Sequence, residues 1–216
     1  MEDTILNRNA AACLAGVVLA GGRSRRMGGG MKALQSLGRS SLLQHVIDRL
    51  SPQVARLYLS VEEYSPELGR FGLEQVPDPQ PGSKGPLAGL LAGLARAAED
   101  GYEWLLLAPC DAPFLPPDLA IRLFACAEAE RADVAVVRHA SRLQPTFSLW
   151  GRTAREDIRQ AVEEAGMAGF MQFLARRRHA VLDWRAVEGE ANPFFNINDP
   201  VALAEAAMMI DDSQGK

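Results

Sequence analysis

The chain is poor in the residues and signatures that make many functions quick to read. Its 216 residues include three cysteines, three histidines and 6% aromatics. Cys13, Cys110 and Cys126 show no Cys-x-x-Cys spacing, so neither a zinc-ligand set nor a disulfide framework follows from them. A reducing, cytoplasmic setting is the simplest expectation. No apolar stretch approaches the roughly 20 residues of a membrane span, and residues 1–12 lack the continuous apolar run of a signal peptide. An excess of positive charge is missing too. The formal net charge of −4 speaks against a general nucleic-acid binder, which needs a basic face. The two commonest phosphate loops are also absent: there is no Gly-x-x-x-x-Gly-Lys-Ser/Thr, and no Gly-x-Gly-x-x-Gly opens a helix.

What the chain does have is a local concentration of glycine and cation. After the apolar run Ala15-Gly16-Val17-Val18 comes Leu19-Ala20-Gly21-Gly22-Arg23-Ser24-Arg25-Arg26-Met27-Gly28-Gly29-Gly30-Met31-Lys32. Glycines let backbone N–H groups approach a polyanion closely, and Arg23, Arg25, Arg26 and Lys32 add full positive charge. In a mildly acidic protein this pattern points to a small anionic ligand, with the loop cradling the phosphates of a nucleotide.

Strand-like apolar runs alternate with helical patterns along the rest of the chain, which predicts a mostly parallel sheet covered by helices. Strands are expected near residues 15–19, 54–61, 104–108 and 133–137. Residues 145–150 should be extended, and 180–183 should form an edge strand. Helices are expected over 41–50, 86–98, 118–129, 153–164 and 169–177, and from Pro200 to about Ala207. One domain is expected over residues 14–210, with 1–13 a flexible leader and 211–216 a disordered tail.

In open α/β sheets, ligands sit beyond the carboxyl ends of the strands, and several polar residues fall there. Asp111, in Pro109-Cys110-Asp111-Ala112-Pro113, is a candidate metal ligand, or else a turn aspartate capping the helix near Asp118. Asp78, in Pro77-Asp78-Pro79, has a strong structural reading as turn chemistry. The segment Lys84-Gly85-Pro86-Leu87-Ala88-Gly89 either receives a base or ribose on its backbone or is a tight entry into a helix. Asn196 and Asn198 alternate around Ile197 and are open to ligand binding, although Asn198 or Asp199 also suits a helix cap. Cys110 has no histidine near it in sequence, so a buried thiol is the plainer reading. His45 reads as packing or surface, His139 and His179 fall in expected loops, and Glu62-Glu63 reads as solvated surface.

Taken in order, these motifs resemble the nucleotidyltransferases of the nucleotide-diphospho-sugar-transferase fold, a Rossmann-like three-layer α/β architecture. The molybdenum cofactor guanylyltransferase family is the nearest resemblance. The residues that carry it are Gly16-Val17-Val18-Leu19-Ala20-Gly21-Gly22, Arg25-Arg26-Met27-Gly28-Gly29 with Lys32, Gln44-His45-Val46 and Gly85-Pro86-Leu87-Ala88-Gly89. It continues through Pro109-Cys110-Asp111-Ala112-Pro113, Pro116-Pro117-Asp118-Leu119, Pro145-Thr146 and Phe195-Asn196-Ile197-Asn198.

The resemblance implies transfer of GMP from GTP to the terminal phosphate of molybdenum-molybdopterin, with release of pyrophosphate. It implies that Leu19, Ala20, Gly21, Gly22 and Arg23 meet the nucleotide together with Ser60, Asp78, Gly85, Pro86 and Leu87. Lys32 and Arg25 would hold the phosphates, and Asp111 would bind Mg2+. Molybdoenzyme chaperones, or other proteins of cofactor biosynthesis, are the implied partners. The Leu-Ala-Gly-Gly form favours GTP over the CTP of the related cytidylyltransferases. Two positions depart from the pattern. Met31 stands where the family usually has aspartate, and Ser60 stands where some members place asparagine, although a serine hydroxyl still hydrogen-bonds. The alternatives are a same-fold enzyme using CTP or another acceptor such as a sugar 1-phosphate, and a nucleotide- or pterin-binding carrier with impaired catalysis.

Overall fold

A computed structural model of the chain describes residues 13–21, 30–79, 85–185 and 191–214. Strand β1 (Leu14–Leu19) is buried almost throughout, as a short apolar run flanked by glycine and small residues should be. A small hairpin follows, β2 (Ser36–Leu37) with β3 (Ser40–Ser41). Helix α1 (Leu42–Leu50) starts where the Ser41 side chain accepts the Gln44 N–H at 3.2 Å, and it buries Leu42, Leu43, Val46, Ile47 and Leu50.

Next come β4 (Arg56–Val61), β5 (Glu74–Pro77), α2 (Pro86–Glu99), β6 (Trp104–Pro109) and α3 (Leu119–Glu130). The second half holds β7 (Val134–His139), β8 (Arg142–Gly151), α4 (Arg155–Arg159), α5 (Phe170–Leu174), β9 (Ala180–Trp184) and α6 (Pro200–Gln214).

Seven strands form one sheet in the order β5-β4-β1-β6-β8-β7-β9. Among the described strands of this sheet only β8 runs against its neighbours; the others are parallel. The chain leaves β1 toward β4 on one side and later returns to β6 on the other, so the carboxyl end of β1 is a topological switch point. Apolar side chains fill both faces. Leu43, Val46, Leu50, Leu119 and Leu123 pack on one face, and Leu87, Leu90, Leu94, Ile158 and Phe173 pack on the other. Gly93 lets α2 lie close to the sheet, since a Cβ there would stand 3.1 Å from Leu105 and 3.2 Å from Val17. That close seat sets where the amino end of α2 meets the strand ends.

The structure differs from the sequence expectation in several places. Strand β5 was not foreseen. Its Glu-Gln-Val-Pro sequence has little apolar pattern, and Pro77 is tolerated because the strand lies at the sheet edge. The helix expected over 153–164 is a 3-10 turn (Arg152–Ala154), α4, and a π turn (Gln160–Glu164). The helix expected over 169–177 shortens to α5. Helix α6 continues to Gln214, into the tail expected to be disordered; neither glycine nor proline interrupts the sequence between Pro200 and Gly215. His139, expected in a loop, is buried at the end of β7 with Nδ1 3.1 Å from the Trp184 carbonyl oxygen.

Candidate active site

A cleft of about 560 Å³ opens at the carboxyl ends of β1, β4 and β6, against the amino end of α2. Its walls include Leu19, Gly21, Lys32, Ser60, Asp78, Gly85, Pro86 and Asp111. Eight positions expected from the sequence therefore meet in one place, although they are spread along the chain from Leu19 to Asp111. Backbone hydrogen bonds fix the junction. The Ala20 N–H donates to the Ser60 carbonyl at 2.9 Å, Cys110 N–H to Leu19 at 3.2 Å, and Asp78 N–H to Val61 at 3.0 Å.

Two expected positions do not face this cleft. Leu87 is fully buried in the core beneath α2, because the helix turns its second residue toward the sheet. Ala20 is buried as well, its small side chain packed in the opposite core cluster. Gly22, Arg23 and Arg25 lie outside the described residues, as does Arg26.

At one end of the cleft the Lys32 ammonium bonds the Asp111 carboxylate and also donates to Asn198 Oδ1 at 2.6 Å. Asp111 is held from behind, since its carbonyl accepts the Ile197 N–H at 2.9 Å. The capping alternative for Asp111 is overturned: its carboxylate turns to Lys32, and α3, which begins just after Asp118, has no side-chain cap. Capping of α6 falls to Asp199, whose Oδ1 accepts the Ala202 N–H at 2.9 Å, and this leaves Asn198 to Lys32. The Asn196 Oδ1 is buried with no hydrogen-bond partner among the described residues.

The other end of the cleft is acidic. Asp78 lines it with Glu62, which is exposed, as the sequence reading expected, and still reaches the cleft wall. Burial first, and then the negative charge of Glu62, push the Asp78 carboxyl up to about 6. Among the described residues none donates a hydrogen bond to that carboxylate, so the turn-forming reading accounts for the Asp78 backbone but not for its side chain. Glu62 was legible in one respect: it lies one residue beyond the carboxyl end of β4, where ligands of such sheets gather.

Glycines make the floor. Gly85 has φ +92°, and a Cβ there would stand 2.6 Å from the Ala168 carbonyl oxygen, so only glycine suits this entry to α2. Pro86 then occupies the first helical turn, where its missing N–H costs nothing. Cys110 lines the cleft, but burial pushes its thiol up to about 12, which keeps it protonated and removes it as a nucleophile. Met31 points its sulfur toward Ser65, whose hydroxyl donates at 3.5 Å. The Met31 side chain thus packs toward the loop after β4.

Among the described residues no three His, Cys, Asp or Glu side chains come together as a metal cage. One buried carboxylate, Asp111, is a sparse set of hard donors. Such a set fits a divalent cation that keeps most of its coordination from phosphate oxygens and water, as magnesium does.

Residues 16–181 match the family described as MobA-like NTP transferase domain. A molybdenum cofactor guanylyltransferase of Rhodopseudomonas palustris (strain BisB5) is 42% identical over 192 residues, which cover 88% of this chain and 90% of the relative. One from Mesorhizobium japonicum is 41% identical, covering 91% of this chain and 96% of the relative. Among solved structures, the molybdopterin-guanine dinucleotide biosynthesis protein A of Archaeoglobus fulgidus superposes with a TM-score of 0.75 at 22% identity, covering 92% of this chain and 99% of that one. A Mycobacterium tuberculosis protein solved in complex with manganese gives a TM-score of 0.65 at 18% identity, covering 92% and 99%. These structures share the fold, that of the nucleotide-diphospho-sugar-transferase-like nucleotidyltransferases. With relatives this similar along most of their length, the chain belongs to the MobA-like NTP transferase family.

Proposed function

We propose that this protein transfers GMP from GTP to the terminal phosphate of molybdenum-molybdopterin, giving the guanine dinucleotide cofactor and pyrophosphate. The observation that carries the reading is the polarity of the cleft. A cation-bearing cluster, Lys32 with Asp111 and Asn198, stands at one end, and the carboxylates of Asp78 and Glu62 stand at the other. A nucleoside triphosphate has the complementary polarity, with anionic phosphates on one side and a donor-bearing base on the other. The names of the relatives support the choice of GTP and molybdopterin.

In this reading Lys32 leaves Asp111 for the phosphates, because a polyanion outcompetes a single carboxylate for the ammonium. Asp111, freed, is the residue that would hold a divalent cation, with magnesium the expected ion. That cation supplies neutralisation of charge on the triphosphate. Asn198 keeps the Lys32 ammonium oriented through its Oδ1, and the Ile197–Asp111 backbone bond keeps the carboxylate in place. The attacking phosphate oxygen is already ionised at neutral pH, so no general base is needed, and the cleft offers no histidine. Positioning and charge do most of the work in such transfers.

The product would pass to molybdoenzymes or their chaperones in the cytoplasm. Among the described residues no helix is long and apolar enough to cross a membrane.

The test is incubation with molybdenum-molybdopterin and Mg2+ and, in turn, GTP, CTP, ATP and UTP. GMP incorporation with GTP alone is expected. Incorporation of CMP overturns the reading, and nucleotide binding without pyrophosphate release indicates a carrier.

A further inference from the structure

Glu62 and Asp78 reach the same wall of the cleft from adjacent strands. Glu62 follows the end of β4, and Asp78 follows β5, which pairs with β4 in parallel as far as Val61 and Pro77. The Asp78 N–H on the Val61 carbonyl holds the two residues in register. Gly21 admits Glu62 to this position: a Cβ at 21 would stand 3.1 Å from the Glu62 backbone nitrogen and 3.2 Å from its Cγ. Two carboxylates on one wall repel each other until a group with adjacent hydrogen-bond donors lies against them. Ser60, the neighbouring polar side chain, is buried and crowded by α2 at Gly89, so a short hydroxyl is all it offers.

We propose that Glu62 is a specificity-determining residue that acts with Asp78 to read the 2-amino donor edge of a guanine base. The inference rests on the guanylyl-transfer reading and assigns part of its selectivity to one side chain. An ionised carboxylate only accepts hydrogen bonds. Guanine presents two adjacent donors, the ring N1–H and the 2-amino group. Adenine, cytosine and uracil each set a ring or carbonyl acceptor beside their donor, and that acceptor would face a negative oxygen. A charged acceptor makes a hydrogen bond roughly twice as strong as a neutral one. A site built around such a bond rejects an analogue that lacks the partner.

Inosine triphosphate differs from GTP only in lacking the 2-amino group, so it isolates the contact. Values of kcat/KM for GTP and inosine triphosphate are measured with wild type, Glu62→Gln and Glu62→Ala, using pyrophosphate release with molybdenum-molybdopterin as acceptor. Wild type is expected to prefer GTP. Glu62→Ala should lower the GTP-to-ITP ratio about tenfold, almost wholly through loss on GTP, with Glu62→Gln intermediate. An unchanged ratio overturns the proposal, and so does an equal loss on both nucleotides, which would make Glu62 a structural contact. The guanylyl reading fails separately: wild type would then not use GTP at all, and this is seen before any variant is compared.

Discussion

Gly89 of α2 lies so close to Ser60 of β4 that a Cβ on it would stand 2.2 Å from the Ser60 Oγ and 2.8 Å from Leu19 Cδ2. Helix and strand end meet here without room for a methyl group, and the contact forms part of the cleft floor. Gly89→Ala should therefore force Ser60 and Leu19 apart. We expect a stability loss of about 1–3 kcal/mol and a raised KM for nucleotide, read by thermal denaturation and steady-state kinetics. Ser60→Ala in the same chain should return part of the lost Tm, because the overlapping oxygen is gone. If the double variant is no more stable than Gly89→Ala, Leu19 and not Ser60 is the obstructing side chain.

Lys32 and Asp111 are both mostly buried, so removing one charge strands the other. Lys32→Met is expected to destabilise the protein by about 1–3 kcal/mol and to abolish transfer. Adding Asp111→Asn should recover most of the stability and none of the activity. Asp111→Asn alone strands the Lys32 ammonium, so it should lose some stability while still folding, and it should lose metal-dependent turnover. Turnover that survives in Asp111→Asn would remove this residue from the metal-binding role.

Much of this site is legible in the sequence, because its residues sit where short-range rules leave marks. Gly21, Gly85 and Pro86 punctuate a strand end and a helix start, and Asp78 and Asp111 stand between prolines where the chain cannot become helical. What stayed hidden depends on contacts between distant segments. Glu62 belongs to a charge pair that reads as solvated surface and is indeed exposed, but its place beside Asp78 comes only from the β4–β5 pairing. Leu87 shared a motif with cleft residues, but helical geometry turned it into the core. Strand β5 and the π turn after α4 have no periodic signal of their own and are imposed by packing. The roles of Asn198 and Asp199 also could not be divided until α6 had chosen its cap.

The Asp78 carboxyl shifts upward from 3.8 to about 6, chiefly by burial and secondarily by Glu62. A raised carboxyl binds its proton more tightly in the folded state. Its contribution therefore stabilises the fold at low pH and is lost as pH rises between about 4 and 6. Asp78→Asn cannot ionise and escapes that loss. The variant should be more stable than wild type near neutrality, and the gap should close as pH falls toward about 4, as thermal melts across this range would show. Nucleotide affinity should move the other way in wild type, weakening below about pH 6 as the acceptor takes up a proton. A stability difference independent of pH would mean that Asp78 is not the group responsible.

Phe194 anchors the segment that carries Asn198 to Lys32. Its buried ring meets Phe147 at 4.9 Å, His139 at 5.4 Å and Trp184 at 5.4 Å between centroids. Three residues later the Ile197 N–H bonds the Asp111 carbonyl, and then Asn198 reaches Lys32. The aromatic cluster at the ends of β7 and β9 thereby sets the position of two groups at the phosphate end of the cleft. Phe194→Leu keeps an apolar side chain but gives up the ring-to-ring contacts, at about 0.5–1.5 kcal/mol for each pair. We expect a lower Tm together with a fall in kcat larger than any change in KM for GTP, because the loss falls on Lys32 and Asp111 and leaves the base wall untouched. Asn198→Ala should reproduce the kinetic defect without the loss of Tm. A Phe194→Leu protein that melts earlier but turns over at the wild-type rate would reduce the cluster to core packing alone.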